Sequence, residues 1–282
     1  MEGTGETPMS VFLCHHHSSV CAAKVRLALA EKGVPWEGKL INLRASEQYS
    51  EDYLAMNPFG LVPVLVHDGK VLPESTVINE YIDDVFDGPP LRPKDSYKRG
   101  QMRIWTRMND ENVHAATGVL TSSIAFRHQA QHSDQVTKVR DPYKKKRKIE
   151  SVRGGVDNPH FTTALARIDL LFTQIEEALS GTGPGEALTG GGPDWLTGEY
   201  SLADIGFAPY ITRFDHLQLG FLWENRPRVA GWYALLKARP AYQSAIEEWL
   251  HHDYSYVELM MAQGHKLAPK LRAMIGDIRA TA

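Results

Sequence analysis

Cysteine is scarce in this sequence: 282 residues carry two, Cys14 and Cys21. Two thiols so close together are too few for a disulfide framework, which excludes a small stapled secreted scaffold and fits a reducing compartment. Long apolar runs are also missing, so no stretch reads as a membrane-spanning helix. The first residues, Met1-Glu2-Gly3-Thr4-Gly5-Glu6, lack the basic start and apolar centre of a signal peptide, and the expectation is a cytoplasmic protein. Excess charge of either sign is small, with a net charge of -3, which gives no reason to expect nucleic acid or a membrane surface as a partner. One basic run, Lys144-Lys145-Lys146-Arg147-Lys148, stands in a polar tract at 128–160. No aromatic residue interleaves it, so it reads as a solvated helix face.

What the sequence does have is apolar content of 43%, enough to bury two modest cores. After a Gly-, Thr- and Glu-rich lead-in over 1–8, Ser10 to Cys14 reads as a strand and His15 to Val20 as a polar loop. From Cys21 a helical pattern runs to Gly33. A strand at Trp36 to Leu43 and a short polar helix at Glu47 to Ala55 follow. A hairpin and a helix from Glu74 to Asp84 complete the order β-α-β-α-β-β-α, an α/β layer. Gly88-Pro89-Pro90-Leu91-Arg92-Pro93 is rigid and turn-rich and reads as a linker. Beyond it nearly everything is helical, with an irregularity expected near Gly118, a Gly-rich surface loop over 181–192, and a tail helical from Tyr256 to Met261. Ser201-Leu202-Ala203-Asp204 has the spacing of a reciprocal capping box opening a buried helix. The divisions expected are 9–87, a linker at 88–96, an all-α unit at 97–252 and an extension at 253–282.

The chain is organised around Asn57 to Ser75. Pro63 cannot donate to a ladder, so it belongs at a strand start or an edge, where its peptide bond can also be cis. The carbonyl and N–H of Val62 are then free for an extended ligand lying beside that edge. Asp68-Gly69 is a two-residue hairpin signal between Val64-Leu65-Val66 and Val71-Leu72. Glu74-Ser75 then opens a helix whose N-terminal N–H groups and hydroxyl favour a carboxylate. A strand edge and a helix start together suit a small peptide with a terminal carboxylate.

The pairing of Asn57-Pro58-Phe59-Gly60-Leu61-Val62-Pro63 with Glu74-Ser75-Thr76-Val77-Ile78-Asn79-Glu80-Tyr81 resembles the glutathione-binding half of the cytosolic glutathione transferases. The capping box resembles the one opening the core helix of their C-terminal domains. Within that family the segments His67-Asp68-Gly69-Lys70-Val71, Asp84-Val85-Phe86, Leu91-Arg92-Pro93 and Met102-Arg103-Ile104-Trp105-Thr106 look like the bacterial β-etherases that cleave lignin dimers, and related fungal transferases. The polar insertion near 128–160 also looks like that branch.

The resemblance implies an α/β plus all-α architecture, thioredoxin-like domain first and helical bundle second, with glutathione as co-substrate. It implies a dimer, either of this chain or with a related one, and a small aromatic substrate. It assigns Gln48 to the glycine carboxylate of glutathione, Val62 with Pro63 to backbone pairing, and Glu74 and Ser75 to the γ-glutamyl end. Leu61 departs from the Gln or Lys of many classes. Asp110, or its neighbours Asn109 and Glu111, is the candidate for the γ-glutamyl ammonium across a dimer. The sulfur-activating group is Ser19, Ser18 or Cys21, because Ser18-Ser19-Val20-Cys21 is one residue longer than the Ser-Ser-Cys motif of the zeta type. His17 is a candidate auxiliary donor, and consecutive histidines rarely converge on one metal, so none is expected. Phe12, Trp105, Phe126, Tyr210 and Phe214 are candidate pocket walls. The alternatives are a zeta-type isomerase or dehalogenase, an omega-like thiol reductase acting through Cys21, and a non-catalytic interaction protein.

Overall fold

The computed structural model describes residues 11–129, 136–182, 191–252 and 255–281. The lead-in and most of the Gly-rich loop expected at 181–192 lie outside them. The first half is a four-stranded sheet with helices: β1 Val11–His15, α1 Val20–Lys32, β2 Glu37–Leu40, α2 Glu51–Met56, β3 Val64–His67, β4 Lys70–Pro73 and α3 Ser75–Val85. Spatial order is β2-β1-β3-β4, with β2 parallel to β1 and both other pairings antiparallel. The turn between β3 and β4 has Asp68 at φ 49° and Gly69 at φ 76°, the left-handed pair a two-residue hairpin requires. Ser19 caps α1, its side chain accepting from the Ala22 N–H at 3.2 Å, and left-handed Gly33 ends it.

Two segments are shorter than their sequence suggests. β2 stops at Leu40, where Ile41 turns inward and donates to the His15 carbonyl at 2.8 Å. The helix expected over 47–55 is broken, because Ser50 is extended and caps a new start, its Oγ accepting from the Tyr53 N–H.

The second half is helical: α4 Ser96–Met108, α5 His114–Ile124, α6 Pro142–Gly154, α7 Phe161–Ser180, α8 Leu202–His216, α9 Pro227–Ala238 and α10 Ser255–Thr281. A short run through Pro240–Tyr242, Gln243–Glu247 and Glu248–His251 precedes the last. Helix α8 is its axis. The capping box forms, with Asp204 accepting from the Ser201 N–H at 3.0 Å, the Leu196 N–H at 3.1 Å and Trp232 Nε1 at 3.0 Å. The Leu202 N–H donates to the Leu91 carbonyl, tying the start of α8 to the segment after α3.

One apolar core runs from Leu13, Val25 and Leu65 through Ile78 and Trp105 to Phe172 and Phe214, so the two halves share an interior. A second, small cluster of Cys14, Ile41, Tyr53 and Val64 fills the other face of the sheet beneath α2. Because α1 is packed against α3 and α8, even its charged residues are buried, and each is satisfied. Lys24 donates to Thr76 Oγ1 and pairs with Asp110 at 3.0 Å.

Three further expectations change. The irregularity placed near Gly118 lies earlier, as a π turn at Asn109–Val113, where buried Asn109 donates through Nδ2 to the Gly206 carbonyl at 2.7 Å. Gly118 itself sits in regular helix. The tail is one 27-residue helix rather than a short turn. It lies so close to the end of α8 that a Cβ on Gly264 would meet the Leu217 carbonyl oxygen. The basic run is only in part a solvated face: on α6, Lys145, Arg147 and Lys148 are half-buried, and burial pushes the Lys148 ammonium down.

Candidate active site

Register alone gathers the candidate segments. Val64 stands opposite Cys14 on one side and Pro73 on the other, and His15 stands opposite Leu40. The loop after β1, the 41–49 loop after β2, the residues before β3 and the start of α3 therefore leave the sheet at the same end. Ser18 and Ser19, Gln48, Val62 and Pro63, and Glu74 and Ser75 belong to those four segments.

The Val62-Pro63 bond is cis. Among the described residues no backbone or side-chain hydrogen bond uses the Val62 N–H or carbonyl, whereas the neighbouring Leu61 carbonyl accepts from Tyr53 Oη and Asn57 Nδ2. Glu74 sits at φ 72° just before α3, its carboxylate exposed, and Ser75 is the buried first residue of that helix. Gln48 is buried, and its Oε1 has no partner among the described residues. An unpaired backbone segment leading into β3, an exposed carboxylate, a helix N-terminus and an orphaned amide oxygen fit a tripeptide with an ammonium at one end and a carboxylate at the other.

The loop over 16–19 is held from below by two buried guanidiniums. Arg26 donates to the His16 and His17 carbonyls, each at 3.3 Å, and to the Ala245 carbonyl at 2.9 Å. Arg213, on α8, donates to the Ser18 carbonyl at 2.6 Å. Burial pulls both down, Arg26 to about 9 and Arg213 to about 10, so each keeps its charge at neutral pH. Of the three consecutive histidines only His15 turns away, since the rings of His16 and His17 lie 4.0 Å apart. His15 packs between Trp36 and Trp249, and His16 and His17 lie against Tyr256 of α10.

The hydroxyls differ in what their protons are free to do. The Ser18 N–H donates to His16 Nδ1 at 3.2 Å, which makes that nitrogen an acceptor; the Ser18 hydroxyl, 3.1 Å away, donates to it too. Burial keeps that ring neutral, pushing it down to about 3. Ser19 Oγ instead accepts from the helix, leaving its proton for another acceptor. Cys21, two residues on, faces the helical half. Its Sγ is 3.6 Å from His114 Nδ1 and 3.7 Å from Tyr210 Oη, and those two groups are 3.0 Å apart. Burial pushes the thiol up, but the charge and hydrogen bond of His114, with Lys24 and the Tyr210 hydroxyl, outweigh it and bring the thiol down to about 6. His114, 93 residues away, is the functional group that sequence reading missed. No spacing rule connects a turn of α1 to the start of α5.

Other candidates are redistributed. Asp110 is engaged by Lys24 of its own chain, Asn109 by Gly206, and Glu111 by Arg107. Trp105 and Phe214 are fully buried core, and Phe12 packs in the small cluster beneath α2. Phe126 lies against the Arg213 guanidinium that holds the loop, and the Tyr210 hydroxyl reaches Cys21.

A four-stranded mixed sheet followed by a helical bundle, with such a loop, edge and helix start, defines a two-part fold that binds a thiol peptide. The chain belongs to the glutathione S-transferase family. The N-terminal domain model of that family matches residues 18–85, and the C-terminal domain model matches 150–235. Among individual relatives it is 31% identical over 256 residues to Protein LigF of Sphingobium sp. (strain NBRC 103272 / SYK-6), covering 85% of this chain and 92% of that one. The crystal structure of that relative, described as β-etherase LigF, superposes with a TM-score of 0.70 at 28% identity, covering 85% of this chain and all of the other. Glutathione S-transferase Z1 of Arabidopsis thaliana is 29% identical over 249 residues, 88% of this chain and 96% of that one. The chain is thus an enzyme of the transferase class that uses glutathione. No helix among the described residues is long and apolar enough to cross a membrane.

Proposed function

We propose that this transferase cleaves the β-aryl ether bond of lignin-derived aryl ketones. The observation that carries the reading is that one relative, a β-etherase, matches in both sequence and structure over nearly its whole length. Glutathione supplies the nucleophilic sulfur: its thiolate displaces an aryloxide from the carbon α to the ketone, leaving a thioether and a phenol. This chain's residues do the rest. The Ser19 hydroxyl, whose proton no group among the described residues takes, donates to the sulfur and favours its anionic form. The positive end of α1 and the guanidiniums of Arg26 and Arg213 beneath the loop add to that preference. Val62 pairs with the peptide backbone, Ser75 receives a carboxylate, Glu74 receives the ammonium and Gln48 orients the far end.

The surface we assign to the pairing of two subunits is on α3 and α4. Val77, Tyr81 and Val85 form an i, i+4, i+8 stripe, with Val77 53% and Val85 40% exposed, beside Tyr97 at 59% and Ile104 at 44% on α4. Either a second copy or a related chain fits such a surface.

Incubating the protein with glutathione and a β-aryl ether ketone is expected to release phenol and form the glutathione thioether in equal amounts. Release fails if either reactant is left out. Retention on immobilised glutathione without phenol release points instead to isomerase, dehalogenase or reductase chemistry. Absence of retention removes the enzymatic reading and leaves an interaction protein.

A further inference from the structure

The loop over 16–19 covers two positive charges that no group among the described residues balances. Arg26 is 1% and Arg213 7% exposed, and neither guanidinium forms an ion pair with a described residue. Arg26 is saturated by neutral acceptors, the carbonyls of His16, His17 and Ala245 and the ring of His15. Arg213 is not. Its Nη2 donates to the Ser18 carbonyl, while Nε and Nη1 donate to no described group. Asp215, two residues along α8, is engaged by Tyr233 Oη at 3.1 Å instead. A buried cation with free donors is costly unless something completes it. Both arginines line one cavity of about 270 Å³ between the start of α1, the second half of α8 and the run over 243–250. Ser18 and Ser19 form part of its wall, so it adjoins the place given above to the sulfur. His216 lines it too, and its ring is pushed down to about 4, by burial first and then by the Arg213 charge. The remaining lining includes Val20, Pro209, Ile246 and Leu250, and Phe126 lies 5.6 Å from the Arg213 guanidinium. Pockets that enclose a whole ligand run to about 300–1,000 Å³, so this smaller space suits one end of a molecule that is part anion and part ring.

We infer that this cavity receives the carboxylate of an aromatic acid, with Arg213 as its ion-pair partner, and that the ether substrates of this enzyme carry that group. The second half of the statement rests on the transferase reading; the first half does not. Charge balance favours a group with a single negative charge. In that reading the glutathione thiolate above Ser19 offsets one of the two guanidiniums, and a carboxylate offsets the other. The carboxylates of glutathione itself are assigned to Ser75 and to the far end near Gln48, on other segments. The apolar lining then holds the ring that bears the carboxylate, and the ether carbon is left beside the loop.

The test begins with calorimetric titration of benzoate into the full chain without glutathione, with benzamide and acetate as controls. Benzoate is expected to bind at one site. Benzamide, which lacks the charge, and acetate, which lacks the ring, are each expected to bind about 10-fold more weakly or worse. Arg213→Met removes the ion-pair partner, and His216→Glu sets a carboxylate inside the cavity. Each is expected to weaken benzoate about 10-fold or more, and the second variant keeps the Arg213 contact with the loop. The substrate is then read with β-aryl ether ketones that differ only in a carboxylate or its methyl ester, on the ketone ring or on the leaving ring. For one of those positions the ratio of kcat/KM, acid over ester, is expected at about 10 in the parent chain and near 1 in both variants, whatever rate each variant retains. No benzoate binding, equal affinity for either control, benzoate affinity unchanged in both variants, or a ratio near 1 at both positions in the parent chain overturns the inference. Benzoate binding with no phenol release from any of these ketones would sink the transferase reading alone. Phenol release at equal rates from acid and ester, with no benzoate binding, would sink only this inference.

Discussion

Arg213→Met is expected to lower kcat/KM for glutathione-dependent phenol release about 100-fold, with the chain still folded. The argument rests on where the guanidinium ends. It lies in the helical half, 7% exposed, and its Nη2 donates at 2.6 Å to the carbonyl of Ser18, the residue before the capping serine. Methionine matches the length and apolar stem of the side chain, so packing against Phe126 survives while the donor is lost. The Ser18 peptide is then free to rotate, and with it the Ser19 hydroxyl. A displacement of about 1 Å at a positioned group costs on the order of 100-fold in rate. The removed charge also raises the pKa of a sulfur resting above the loop, so the pH at which activity rises moves upward in the variant. Steady-state kinetics across pH, with an unfolding curve for the same sample, checks both. A variant within about threefold of the parent chain would show that the loop holds itself.

Asp204→Ala carries the largest expected effect on stability, a loss of roughly 4 kcal/mol. The Asp204 carboxyl is wholly buried and is the acceptor for the Leu196 and Ser201 N–H groups and for Trp232 Nε1. Alanine leaves four buried donors without that acceptor, these three and the Ser201 hydroxyl at 3.3 Å, at about 1–3 kcal/mol each when no water reaches them. Total stability of an ordinary domain is about 5–15 kcal/mol, so the variant is close to unfolding. Burial pushes the carboxyl up to about 6 in spite of its donors. The folded value is then above the unfolded one, so the carboxyl's contribution is complete below about pH 4 and is lost as pH rises through about 6. The advantage of the parent chain over Asp204→Asn therefore shrinks across that interval. Urea unfolding of the three proteins at several pH values measures this, and a loss under about 1 kcal/mol for Asp204→Ala would contradict the role given to the box.

Local chemistry is what the sequence makes legible. The Asp68-Gly69 turn, the Ser201 to Asp204 box, the stop at Gly33 and the strand start after the cis Val62-Pro63 bond each depend on neighbours within a few residues, and each forms. The misses are of another kind. The break in the long helix comes at Asn109 and not at Gly118, because a side chain finds the Gly206 carbonyl on another helix. The tail is continuous through Gly264, Pro269 and Gly276 because it packs on α7, α5 and α8. Three nearby side chains, Ser18, Ser19 and Cys21, cannot be ranked from spacing. Their roles separate only once His16, the Ala22 N–H and His114 are known to be what each one meets.

The central claim is that the glutathione peptide lies along the edge at Val62 with its sulfur over the start of α1. A crystal structure of the protein with glutathione tests it most directly. The expected density shows the cysteinyl backbone paired with the Val62 N–H and carbonyl, a carboxylate at Ser75, and the sulfur within hydrogen-bond distance of Ser19 Oγ. Glutathione bound elsewhere, or with its sulfur turned from Ser19 towards solvent, would contradict the account.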